Sequence, residues 1–189
     1  MPIALISNSM SAPLPNDLTT SRLLLREPRR EDAALIFQSY AQDERVTRYL
    51  IWQPNTRVAE TEAFIDGCIQ GRVSGNRYAY VLALPSAEEI PIGMLDAKIT
   101  LHGIEIGYAL APSHWGNAYM SEAVTAFTEA ALTMPEHFRV QAYCDVDNPA
   151  SARTLENAGF QLEGRLERFI IHPNVSKEPR SCYLYARCK

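Results

Sequence analysis

Three strand-like runs crowd the middle of the chain: RYAYVLAL (77–84), IPIGMLDAKITL (90–101) and IEIGYALA (104–111). Only a Pro-Ser-Ala-Glu-Glu turn separates the first two, and Gly103 separates the last two. Connections this short suit antiparallel neighbours, because parallel strands need a long crossover. A helix over 117–133 follows the third run directly. Its stripe of Met120, Val124, Phe127 and Ala131 would face the core, with Ser121, Glu122, Thr125, Thr128 and Glu129 facing away. A meander that turns straight into an amphipathic helix excludes a repeated βαβ array and points to a mixed α/β sheet.

The flanks complete the pattern. RLLLRE after Thr20 reads as a strand. Glu31-Asp32 opens a helix with Ala33, Ile36, Phe37 and Tyr40 on one face, and residues 57–73 form a weaker helix. HFRVQAYCDV (137–146) is a strand. Asn148-Pro149 then starts a helix with Asn as N-cap and Pro in the first turn, and Gly159 stops it. FQLEGRLERFIIH and SCYLYARCK finish as two strands, giving the order βααβββαβαββ. Residues 1–20 lack periodicity and are expected to form a loose extension before a single domain over 21–189. The apolar final strand, with Tyr183, Leu184 and Tyr185, offers an edge for pairing, so both monomer and homodimer stay open.

Composition narrows the function. The 189 residues carry a net charge of −4 with scattered basic side chains, which gives no nucleic-acid footprint. Cys68, Cys144, Cys182 and Cys188 show no CxxC or histidine spacing, so no metal is expected. They read as reduced packing cysteines of a cytoplasmic protein. MPIALIS lacks a basic segment and does not read as a signal peptide, and no apolar run is long enough to span a membrane.

The stretch SHWGNAYMSEA (113–123) joins strand to helix. Amides at a helix start are unpaired, and the helix dipole adds about half a positive charge there. Such a turn suits a phosphate or pyrophosphate. It contains no G-x-G-x-x-G and no Lys-Ser or Lys-Thr closure, which argues against a dinucleotide fingerprint and a P-loop. Taken alone, the stretch could equally be a plain strand–loop–helix joint. Downstream, DNPASARTLENAGF (147–160) has the form N-x-x-S-x-x-x-L-x-x-x-G-F.

With these motifs in this order, the chain resembles the GCN5-related N-acetyltransferases from about Leu18 to Lys189. Thr20-Ser21-Arg22-Leu23-Leu24-Leu25-Arg26, Ile106-Gly107-Tyr108 and Trp115-Gly116-Asn117-Ala118-Tyr119-Met120-Ser121-Glu122-Ala123 resemble the subgroup of ribosomal-protein N-terminal alanine acetyltransferases. The resemblance implies an α/β (α+β) fold. Its mostly antiparallel sheet would have about seven strands, splayed at an acetyl-CoA site, and about four flanking helices. It implies acetyl transfer from acetyl-CoA to a primary amine by direct attack, with a protein N-terminal amine as leading acceptor. A small amine as acceptor and a non-catalytic acyl-CoA-binding module remain alternatives.

By the same resemblance, the amides of Gly116, Asn117, Ala118, Tyr119, Met120 and Ser121 face the CoA pyrophosphate, with Trp115 standing where the wider family has Arg or Gln. The Leu110 backbone holds the pantetheine arm and polarises the acetyl carbonyl. Asn148 contacts pantetheine, and Ser151 donates a hydrogen bond to the departing sulfur. Leu155 stands where many members carry a tyrosine acid. Ala118 and Met120 replace smaller residues. Because 118 lies in the expected first helical turn, a right-handed backbone is expected there, which alanine favours. Glu105 is the first candidate base, ahead of Asp145, Glu163 and His102. Arg45, Arg48, Tyr49 and Trp52 could frame the acceptor.

Overall fold

The computed structural model describes residues 14–101 and 103–189; His102 and residues 1–13 lie outside them. The three central runs become β3 (Arg77–Ala83), β4 (Gly93–Thr100) and β5 (Gly103–Leu110). They form an antiparallel meander in which Leu95 lies opposite both Tyr80 and Tyr108. Before them come β1 (Leu18–Thr19), β2 (Leu24–Arg26), α1 (Asp32–Ile36, running on as a π-turn to Ala41), α2 (Glu44–Thr47) and α3 (Val58–Val73). After them come α4 (Tyr119–Thr133), β6 (Arg139–Asp145), α5 (Pro149–Asn157), β7 (Gln161–Ile170) and β8 (Arg180–Cys188). One eight-stranded sheet results, in the order β1-β2-β3-β4-β5-β6-β8-β7.

Side-chain alternation sends the strands' residues to two cores. Leu95, Ala97, Ile104, Ile106, Val140, Ala142 and Cys144 pack with α4 and α5 through Val124, Phe127 and Leu155. Ala79, Val81 and Met94 pack on the other face with Ile36, Tyr40 and Ile65 of α1 and α3. The expected stripe of α4 is buried throughout, but Thr128 is buried with it. Its Oγ1 has no hydrogen-bond partner among the described residues, so the apolar face is wider than the spacing suggested. β8 lies between β6 and β7 and is not an edge. Its Tyr183–Tyr185 stretch is paired on both sides, which removes it as a docking edge. Leu14 is buried and β1 is paired, both within the stretch expected to be loose.

Among the described residues β5 and β6 form the one parallel pair, and their register covers only Ile104–Val140 and Glu105–Gln141. Beyond it the strands part. β5 stays paired with β4 as far as Leu110, while β6 stays paired with β8 as far as Asp145.

The entry to α1 rests on a buried ion pair. Arg26 Nη1 and Nη2 donate to Asp32 Oδ2 and Oδ1 at 2.9 and 2.6 Å. Both side chains are 4% exposed. Arg26 also donates to the Glu27 and Glu88 carbonyls, tying β2 to the β3–β4 turn. Asp32→Ala would strand a buried guanidinium and is expected to destabilise the fold by about 3–5 kcal/mol, measured by denaturant unfolding.

Candidate active site

Parting two strands exposes backbone that would otherwise pair. The β4 register and the Ala111 N–H bond to Ile92 O fix the alternation along β5. The N–H and C=O groups of Tyr108 and Leu110 therefore point toward the gap. The Leu110 carbonyl accepts from the Trp115 indole N–H at 2.8 Å, so of the two Leu110 backbone groups on this rim the N–H is the one left open.

The chain then turns into α4. Gly116 has φ +78°, and Ala118, the N-cap, has φ 57° and ψ 14°. Ala118 is thus left-handed, against the expectation of a right-handed helical residue. Position 118 belongs to the turn that reverses the chain before the helix begins at Tyr119. Asn117 Nδ2 donates to the His114 and Trp115 carbonyls at 3.2 and 3.1 Å, drawing them inward. Among the described residues, Glu122 carries the first amide of this segment with a protein acceptor, Ala118 O at 3.0 Å. The amides of Gly116 to Ser121 have none, and residues 115–118 are exposed. This donor set, at the positive end of a helix, fits a pyrophosphate. The Met120 side chain is buried in the core, so only its amide reaches the turn.

Glu122 anchors this turn instead of facing solvent. It accepts from Thr20 Oγ1, Ser21 Oγ, the Arg22 amide and Arg22 Nε, the last at 2.7 Å. Arg22 also donates to Asn117 O at 3.0 Å and lies over the Tyr119 ring. Burial works against the Glu122 charge, but the hydrogen bonds from Thr20 and Arg22 prevail and hold its pKa below the ordinary carboxylate value. The Thr-x-Arg stretch and the Glu of the turn motif are partners in one clamp.

Across the gap stands the start of α5. Asn148 caps it by accepting from the Ser151 amide at 3.2 Å. Ser151 Oγ lies 2.8 Å from the hydroxyl of Tyr108, which also donates to Ser151 O at 3.2 Å. Sequence reasoning gave Tyr108 no role beyond its motif. Leu155 is fully buried in the core.

The candidate carboxylates separate clearly. Asp145 is buried and gripped by Arg180 at 2.6 and 2.9 Å. Burial opposes its charge, yet Arg180 holds its pKa below the ordinary value. Glu163 is paired with Arg139 at 2.8 and 2.6 Å. Glu105 is half-buried on the last paired rung before the gap, opposite Lys98 and Gln141. Among the described residues it makes no hydrogen bond or ion pair to another side chain. It shares a face with Gly107 and Ala109, opposite the Tyr108 face. Base candidate and Ser151 therefore flank the gap from its two sides.

The Glu105 face carries an open cleft of about 570 Å³ lined by Glu44, Arg45, Thr47, Arg48, Pro54, Asn174 and Val175. Arg45 Cζ lies 5.9 Å from the Trp115 ring centroid, so cleft and turn meet at that indole. Tyr49 packs edge-on against His172 and Trp52 packs against the second core, and neither is among the residues lining the cleft. Asn174 was missed: its Nδ2 donates to the Thr47 and Trp52 carbonyls, both at 2.7 Å, and fastens the β7–β8 loop to the cleft wall. No group of residues that could hold a metal occurs among the described residues.

This geometry has a family. The acetyltransferase (GNAT) domain matches residues 22–161, and the chain belongs to that family of N-acetyltransferases. An uncharacterised N-acetyltransferase p20 of Bacillus licheniformis is 30% identical over 157 residues, covering 80% of this chain and 86% of that protein. A GNAT-family acetyltransferase of Bacillus anthracis superposes with a TM-score of 0.78 at 25% identity, over 91% of this chain and 98% of that one. RimL, a ribosomal L7/L12 α-N-protein acetyltransferase solved with coenzyme A, gives 0.80 at 22% identity, over 91% and 97%.

Because Ala118 is left-handed, Ala118→Gly relieves a strain of about 1–2 kcal/mol. It also returns about 0.4–1 kcal/mol of entropy to the unfolded chain. A net gain of about 0.5–1 kcal/mol in unfolding free energy is expected by denaturant titration.

Proposed function

We propose that this acetyltransferase uses acetyl-CoA to acetylate a primary amine, with a protein N-terminal α-amine as the leading acceptor. The observation that carries the proposal is the gap between β5 and β6. One rim presents the Leu110 amide, the other presents Ser151, and the unsatisfied amides of 116–121 stand at its open end. Those amides would hold the pyrophosphate, with Asn148 beside the pantetheine arm. The Leu110 N–H would donate to the acetyl carbonyl oxygen; a backbone donor in such a position is worth about 3–4 kcal/mol. Ser151 would donate to the departing sulfur, on the opposite face from the incoming amine.

Glu105 is assigned as the base, acting directly or through water. It is the one of the three described carboxylate candidates not paired with an arginine, and it faces the cleft side of the sheet. The amine must be neutral to attack. An α-amino group has a pKa near 8 and a lysine side chain one near 10.4, so at neutral pH the former is deprotonated about a few-hundred-fold more often. A single half-buried carboxylate suffices for such an amine. The cleft opens at Arg45 and Arg48, with room for a chain terminus. The motifs at 20–26 and 113–123 favour the N-terminal acceptor over a small amine.

The test is thiol release from acetyl-CoA with N-terminal peptides of ribosomal proteins, N-terminally blocked peptides with an internal lysine, and small amines. Release with free N-terminal peptides is expected, rising as pH approaches about 8. Glu105→Gln should lower it about 100-fold or more. Release with small amines alone would replace the acceptor assignment, and calorimetric binding of acetyl-CoA without release would mark a binding module.

A further inference from the structure

The Tyr108 hydroxyl has one proton and two acceptors within reach, Ser151 Oγ at 2.8 Å and Ser151 O at 3.2 Å. Tyr108 comes from β5 and Ser151 from α5, so this contact spans the gap. Burial pushes the Tyr108 pKa above the ordinary phenol value, against a weaker pull from Ser151. Cys144 and Tyr185, the other titratable groups affecting it, are themselves each pushed up to about 12, mainly by burial. Tyr185 in turn donates to the Glu156 carboxylate at 2.9 Å, so a negative charge lies one side chain beyond the phenol and, like burial, favours the phenol's keeping its proton near pH 7.

Two hydrogen-bond arrangements then fit the same heavy-atom positions. In one, Ser151 donates to the Tyr108 oxygen, and Tyr108 donates to Ser151 O. In the other, Tyr108 donates to Ser151 Oγ, and the Ser151 proton points away to an outside acceptor. The Ser151 amide is held by Asn148 in both, so the hydroxyls alone turn. Chained donors of this kind strengthen one another in a low-dielectric site.

We infer that Tyr108 is a positioning residue for Ser151: its hydroxyl turns to donate to Ser151 Oγ when Ser151 donates to the thiolate of CoA. The inference rests on the assignment of Ser151 as donor to the sulfur. No covalent bond forms or breaks at Tyr108, and no proton leaves it; sulfur departs as thiolate, stabilised by a two-member chain of hydrogen bonds.

The experiment titrates the thiol of CoA bound to the full chain, by ultraviolet thiolate absorbance. The same protein with desulfo-CoA is subtracted to remove protein thiols and phenols. Wild type, Tyr108→Phe, Ser151→Ala and the double variant are compared, with melting temperatures as the check on folding. Ser151→Ala is expected to raise the bound thiol's pKa by about one unit, and Tyr108→Phe by about half to one unit. The double variant should match Ser151→Ala. A Tyr108→Phe titration equal to wild type, beside a raised Ser151→Ala, would overturn the role of Tyr108 and leave Ser151 in place. Additive shifts in the double variant would overturn it as well. A Ser151→Ala titration equal to wild type would sink the Ser151 assignment itself, and the inference with it. Should Tyr108→Phe fail to fold, 3-fluorotyrosine at 108 keeps the shape and strengthens the donor. It should lower the bound thiol's pKa, and no change would refute the inference.

Discussion

Everything that makes this sheet an acetyltransferase scaffold follows from the early end of the β5–β6 pairing. Only two register pairs join these strands before each turns to its other neighbour. A parallel pair this short leaves the β5 backbone with donors that no strand satisfies. It also opens a passage between two helical layers, one face carrying Glu105 and the other carrying Tyr108 and Ser151. On the proposed reading, an acyl group lying in that passage would be approached by an amine from one side while its sulfur leaves on the other. Because β5 runs through Pro112 directly into α4, the unpaired amides of the helix start lie at the same open end.

The turn there is held by contacts from both directions in the chain. Asn117 collects carbonyls from within the turn, Trp115 takes the Leu110 carbonyl, and Glu122 gathers Thr20, Ser21 and Arg22 from the first strands. A left-handed alanine persists because these contacts over-determine it, and strain of this sort gathers where a backbone must face a ligand. The amides stay aimed outward because the neighbouring carbonyls are occupied. Trp115 has a second effect: its ring meets Arg45, so the wall of the cleft leans on the residue that orders the β5 rim.

The cleft itself is built by a long-range fastening. The short α2 and the chain after it pack on the second core through Val46 and Trp52, and Asn174 adds two hydrogen bonds from the β7–β8 loop. His172 adds an edge contact to Tyr49 and lies 3.6 Å from Asp145. The carboxylate of Asp145 is occupied by Arg180 and lies beside the β7–β8 loop, whereas Glu105 has no such partner among the described residues.

What the sequence by itself determined was local. Periodicity placed β2 to β8 and the helices α1, α3, α4 and α5 within a few residues but not the two-residue β1 or the one-turn α2, and short connections gave the antiparallel meander. Asn148 could be read as an N-cap and Gly159 as a helix stop because their causes lie within a few residues of them. The strand–turn–helix joint at 113–123 and the order of its motifs were legible for the same reason. Only the tertiary structure decided the left-handed backbone at Ala118, the burial of Thr128 and the internal place of β8. It also sorted the carboxylates, since Arg180 and Arg139 claim Asp145 and Glu163 from distant strands. The Glu122 clamp and the Tyr108–Ser151 contact join residues about 100 and 43 positions apart. No local pattern encodes such pairs; they exist because folding brings two chain segments to opposite rims of one gap.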